Sequence, residues 1–230
     1  GAQALEDGRE LRSCGDGAAV EAVAAVEGKR VVHAGSVCPP LRTFVLGRIV
    51  AMPVRPYLDQ LPVLGERVYV DPAAQVIGDV VLGDDASIWP GTIVRGDVNF
   101  IRIGARTNVQ DGTIVHVSHD GPHAKLGGFA TVIGSDVTIG HKAIVHACRI
   151  EDAVLVGMGA ILLDGAVVEK HGFVGAGALV APGKVVGSGE LWLGNPAKKV
   201  RMLSDAEIEA LYYSAGHYVR LKDQYLAGGV

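Results

Sequence analysis

The sequence predicts an all-β solenoid closed by a C-terminal helix, and three observations carry that prediction. Between Val76 and Leu193 aliphatic residues recur every six positions, a period that suits neither a lone strand nor a helix and marks a repeat architecture. Of the 230 residues only 12 are aromatic while 32 are glycine, as expected of a thin interior with demanding turns. Finally, Ser204-Asp205-Ala206-Glu207 is a capping box opening a stretch of helical spacing.

Residues 1–51 stand apart. Their glycines are scattered without period, and Cys38-Pro39-Pro40 stops any element there. They are expected to be a poorly ordered leader or artefactual extension, with Met52 the native beginning. A cleavable organelle transit peptide fits less well, because acids and bases are equal in number across the segment and such peptides are acid-poor.

The solenoid is expected over 52–203. Its inward residues are Val76, Leu82, Ile88 and Val94; Ile103, Val109 and Val115; Ile133, Ile139 and Val145; and Ile150, Val156, Leu162, Val168, Val174, Val180 and Val186. Each six-residue unit supplies a short strand and a turn, and three units close a triangular coil of about 18 residues. The phase breaks twice: the step from Val94 to Ile103 is nine, and a loop, Ser118 to Gly128, is extruded between Val115 and Ile133. Leu193-Gly194-Asn195-Pro196 ends the coil. A helix over 204–227, with Ile208, Leu211, Tyr212, Ala215, Val219 and Leu226 at helical spacing, is expected to pack on it.

Composition excludes several function classes. The longest apolar stretch, Ala153 to Leu163, has 11 residues, against about 20 for a membrane-spanning helix. A formal charge of -4 lacks the basic excess of a nucleic-acid binder. Cys14, Cys38 and Cys148 form neither a disulfide framework nor a CxxC pair, and no signal peptide is apparent, so a cytoplasmic location is expected.

Histidines in phase point to chemistry. His116 follows the inward Val115 and His146 the inward Val145. If the extruded loop takes about 12 of the 30 residues between them, one coil remains and the two imidazoles stack about 4.8 Å apart on one wall. His141 projects near a corner, away from both. Such a set reaches a single metal when a neighbouring subunit lies opposite; three neutral imidazoles with an open position form a catalytic zinc arrangement. The alternative is a set of unrelated surface histidines.

Arg95-Gly96-Asp97, Asn108-Val109-Gln110-Asp111-Gly112, Ile114-Val115-His116, Ile139-Gly140-His141, Val145-His146 and Leu193-Gly194-Asn195-Pro196 together resemble the γ-class carbonic anhydrase family, above all its short bacterial members. The resemblance covers Met52 to Ala227. It implies a left-handed parallel β-helix, a homotrimer with sites at the subunit interfaces, and reversible hydration of CO₂ to bicarbonate by a metal-bound hydroxide. In that scheme His116 and His146 come from one chain and His141 from the next. Gln110 orients the reacting group, Asn108 supports substrate binding, and Arg95, Asp97 and Asp111 make contacts between subunits or behind the ligands. Zn²⁺ is the expected metal, with Fe²⁺ or Co²⁺ as substitutes, since imidazole suits them all.

The sequence also departs from the family. No acidic loop follows Asp97, because Val98-Asn99-Phe100 runs straight into Ile101, and His119 stands where a glutamate is expected. Proton export then falls to other titratable groups: His119, His123, Tyr218 or Tyr213. Two competing functions remain, a hexapeptide-repeat acyltransferase or thioesterase acting on acyl-CoA, and a non-catalytic metal-binding trimeric scaffold.

Overall fold

The structure, a computed structural model, describes residues 52–122 and 126–228. The expectations for residues 1–51, for Cys14 and Cys38 and for His123 lie outside the described residues.

The described chain winds as a parallel β-solenoid with three walls. The first wall stacks Val54–Arg55, the front halves of Gln75–Leu82 and Ile93–Ile103, then Ile114–His116, Ile144–His146, Ile161–Leu162 and Leu179–Val180. The second holds Val63–Leu64, the rear halves of the same two long strands, Thr131–Ile133, Arg149–Ile150, Val167–Val168 and Val185–Val186. The third runs from Tyr69–Val70 through Ser87–Ile88, Asn108–Val109, Thr138–Ile139, Leu155–Val156 and Phe173–Val174 to Glu190–Leu193, where Lys198–Met202 pairs antiparallel and ends the stack.

Every aliphatic of the six-residue period points into the shaft, and none is more than 3% exposed. Each such burial stabilises by about 1.5–3 kcal/mol, so the repeat is its own core. Successive coils approach closely at the corners: a Cβ on Gly104 would lie 2.5 Å from the carbonyl carbon of Gly134, which excludes any side chain there.

The step of nine is not a gap between strands. Ile93–Ile103 is continuous, and its partner shifts register between Gly78 and Val80, so that Asp97 to Phe100 bulge opposite Asp79 alone. Bulges re-aim side chains, and this one carries Asp97 and Asn99. Asn99 Nδ2 donates to Ser118 O at 3.3 Å and to Gly127 O at 3.0 Å. The bulge therefore holds the neck of the extruded loop.

The helix runs Asp205–Gly228. Its capping box is reciprocal: Glu207 N–H donates to Ser204 Oγ at 3.3 Å, and Ser204 N–H donates to Glu207 Oε2 at 2.9 Å. The buried face differs from the expected one. Leu211 and Ala215 are buried and Ile208 and Val219 half-buried, but Tyr212 and Leu226 are exposed, while Lys222 is fully enclosed. The cause is the surface it meets. The helix lies along Ser87–Ile88, Asn108–Val109 and Thr138–Ile139 of the third wall. There Tyr218 and Tyr225 pack on Trp89, ring centroids 5.5 and 5.2 Å away. Lys222 sends Nζ to Asp85 at 2.8 Å and Asp223 at 2.6 Å, and Arg67 joins both carboxylates.

Candidate metal centre

The first wall brings two imidazoles into register. His146 pairs with His116 one coil away, through Ile144↔Ile114 and Val145↔Val115, and the ring centroids are 5.3 Å apart. Each ring is held by a carboxylate. Asp97, thrown outward by the bulge and ion-paired with Arg95, lies 3.0 Å from His116 Nε2. Asp164 lies 2.6 Å from His146 Nδ1. Burial pushes His116 toward its neutral form. Burial also acts to raise the Asp97 carboxyl, but the hydrogen bond from His116 and the Arg95 guanidinium outweigh it and hold Asp97 below the usual carboxylate range.

These contacts dictate where the ring protons sit. An ionised carboxylate only accepts, so the nitrogen facing it carries the hydrogen, and a neutral imidazole has only one. His116 Nδ1 and His146 Nε2 are then both bare, and they face one another at 3.2 Å. Two lone pairs so close repel one another, and a metal ion between them relieves that repulsion. Their separation is close to the roughly 3.3 Å edge of a tetrahedron with metal–nitrogen bonds of about 2.0–2.1 Å, as zinc takes. The donor set therefore fits a metal.

The third wall gathers a second group. Asn108 is fully buried; its Nδ2 donates to Thr138 Oγ1 at 3.0 Å and its Oδ1 accepts from Gln110 Nε2 at 3.0 Å. Thr138 Oγ1 in turn lies 3.0 Å from Ser214 Oγ on the helix. The helix thus braces Gln110 through two intermediaries. Gln110 and His141 line a shallow depression of about 290 Å³ floored by Leu155, Met158 and Phe173. His141 Nδ1 meets Asp111 Oδ2 at 2.8 Å, which leaves its Nε2 bare. Burial, with the charge of Asp111, raises the Tyr218 phenol, so it stays protonated at neutral pH.

Within one chain the sequence-predicted residues fall into two sets. Arg95, Asp97, His116 and His146 share the first wall, whereas Asn108, Gln110, Asp111 and His141 belong to the third, with Tyr218 on the helix packed there. Among the described residues no three His, Cys, Asp or Glu side chains close around one point. His119 is exposed on the extruded loop, and Tyr213, 70% exposed, lies under the Arg220 guanidinium. Cys148 is buried, its thiol pushed up to about 12 by that burial, and is unsuited to nucleophilic work. Sequence reasoning missed Asp164, although it stands 18 residues after His146, one coil on at the same phase. It also missed Thr138 and Ser214, which only the docked helix brings together.

A solenoid of six-residue units with carboxylate-held imidazoles in register defines a hexapeptide-repeat protein. The family model described as bacterial transferase hexapeptide (six repeats) matches residues 62–96. Protein YrdA of Escherichia coli is 52% identical over 176 residues, covering 76% of this chain and 95% of that protein. Gamma carbonic anhydrase 1, mitochondrial, of Arabidopsis thaliana is 47% identical over 74% of this chain and 61% of its own length. The probable carbonic anhydrase of Methanocaldococcus jannaschii is 40% identical over 70% of this chain and 96% of its own length. The crystal structure of a hexapeptide transferase family protein from Anaplasma phagocytophilum matches with a TM-score of 0.69 and 44% identity, over 75% of this chain and 97% of that one. The chain belongs to the γ-carbonic-anhydrase family of hexapeptide-repeat proteins, and its solenoid is the left-handed parallel β-helix of that family. No helix among the described residues is long and apolar enough to cross a membrane.

Proposed function

We propose that the protein is a metal-dependent γ-class carbonic anhydrase, catalysing the reversible hydration of CO₂ to bicarbonate at a site shared between subunits of a homotrimer. The observation that carries the reading is the facing pair of bare nitrogens on His116 and His146, 3.2 Å apart, with a third bare imidazole nitrogen, that of His141, on a different wall. A neighbouring protomer would bring its third wall to this pair. The reading is supported by the relatives' names, among them gamma carbonic anhydrase and probable carbonic anhydrase.

A Zn²⁺, Fe²⁺ or Co²⁺ ion held by His116 and His146 of one chain and His141 of the next would supply a Lewis acid that brings a bound water's pKa to about 7. The chain's own residues do the rest. Asp97, Asp111 and Asp164 each accept a ring N–H, which fixes the imidazoles. Asn108 takes up the Gln110 Nε2 hydrogen bond and so turns the Gln110 carbonyl oxygen to the depression, where it can accept from a donor on the reacting species. Leu155, Met158 and Phe173 give CO₂ an apolar approach. His119, exposed on the extruded loop, is the group placed to pass protons to solvent; Tyr218, with its raised phenol, is the poorer candidate.

Metal analysis of the purified protein is expected to give close to one transition metal per chain, lost in His146→Ala. Stopped-flow hydration by Zn²⁺-loaded or anaerobically Fe²⁺-loaded protein should exceed the metal-free control. A loaded protein no faster than that control overturns the activity, and turnover of a coenzyme A thioester in its place would support the acyl-transfer reading that the name of the Anaplasma phagocytophilum structure suggests.

A further inference from the structure

The ring of His146 rests on a carboxylate one coil further along the first wall. Asp164 opens the turn after Ile161–Leu162, and that turn is clamped from both sides. Gly165 N–H donates to Ala147 O at 2.8 Å, next to His146 itself, and Gly183 N–H donates to Asp164 O at 3.0 Å. Gly165 adopts φ +70° and the Phe129 ring lies 3.0 Å from where its Cβ would stand, so only glycine suits the position. The backbone that carries Asp164 is thus pinned between the coils on either side of it.

His146 has two neutral tautomers, and the competitor is a good one. With the hydrogen on Nε2 the ring would donate to His116 Nδ1, 3.2 Å away, satisfying both rings and closing the pair to a metal. Asp164, at 2.6 Å from Nδ1, offers a charge-assisted bond, roughly twice as strong as a neutral one, and pulls the hydrogen to the other side. Resting on the functional reading above, we infer that Asp164 is a positioning residue: it selects the Nδ1–H tautomer of His146, leaves Nε2 bare toward His116, and so sets how tightly the pair grips a metal ion. The parallel contact on His116 is made by Asp97, which is already engaged with Arg95. Asp164 is half-buried, and its removal leaves the shaft intact.

The test has two arms. In metal-free protein at alkaline pH, where imidazoles are neutral, ¹⁵N-edited NMR of the histidine rings is expected to show His146 protonated at Nδ1 in the wild type and shifted to Nε2–H in Asp164→Ala. Zn²⁺ affinity measured by competition with a chromophoric chelator should then fall about 10–100-fold in Asp164→Ala. Asp164→Asn keeps an acceptor oxygen without the charge and should fall between, while thermal unfolding of both variants stays near wild type. An unchanged His146 tautomer, or an unchanged Zn²⁺ affinity, overturns the inference. A wild-type protein that takes up no Zn²⁺ sinks the functional reading instead, and the tautomer measurement still decides the role of Asp164.

Discussion

The first and third walls share one repeat and one core, yet they present opposite kinds of polar group. On the first wall His116 and His146 stand outward on carboxylates, half-buried, with their free nitrogens directed at each other. On the third wall Asn108 and Gln110 are buried under the helix and joined by hydrogen bonds to Thr138 and Ser214. One wall supplies donors for an ion; the other supplies an oriented amide and a single imidazole. Neither is a complete site. The difference teaches that a prism with side chains fixed on flat faces cannot fold its own walls together, and the proposed site accordingly draws on two prisms placed side by side.

Cutting the third-wall network should separate the two contributions most sharply. Asn108→Ala removes the acceptor that holds Gln110 and takes from the Thr138 hydroxyl its bond from Asn108, leaving the one with Ser214. We expect CO₂ hydration to drop about 10–100-fold with metal content preserved, checked by stopped flow beside elemental analysis, and stability to fall by about 1–3 kcal/mol for the buried groups left unpaired. Equal loss of metal and rate would place Asn108 among the groups that support the ion.

A smaller effect concerns how the helix is held to the third wall. The hydrogen bond and charge of Lys222 keep the carboxyls of Asp85 and Asp223 below their usual range, with Arg67 adding to both. Carboxylates depressed in the folded state stabilise it above their unfolded pKa of about 3.9, and that stabilisation is lost as pH falls through the lower folded values. Lys222→Met should therefore lower both the Tm and the stability at neutral pH, the stability by about 1–3 kcal/mol at most because both acids are partly solvated. It should also flatten the acid limb of a Tm-against-pH curve, while first-wall metal binding persists.

Much of this was legible because a regular scaffold converts residue number into place. Val76 through Val186 lie in the shaft as the period requires, and subtracting a loop of about 12 residues put His116 beside His146. The same arithmetic reaches Asp164 from His146 and Asp111 from His141, each one coil apart. Asp97 was harder. Its bond to His116 depends on a bulge inside a continuous strand, which in sequence looks like a lost beat between Val94 and Ile103. The helix face was illegible for a different reason: helical spacing favoured Tyr212 and Leu226, but the rings of Tyr69 and Trp89 on the opposing wall select Tyr218 and Tyr225 as partners. A tertiary contact of that kind has no local signature, and neither does the Thr138–Ser214 hydrogen bond that carries the helix's influence to Gln110.

The central claim is that one metal site draws on the first wall of one protomer and the third wall of another. Chains carrying His141→Ala and chains carrying His146→Ala should each bind no stoichiometric metal alone while still forming trimers. Co-expressed and purified as mixed trimers, they are predicted to recover metal and hydration activity at about a quarter of the sites, the fraction in which an intact first wall meets an intact third wall by random assembly. Mixed trimers as empty as either parent, or a His141→Ala protein that keeps a full complement of metal, would contradict it.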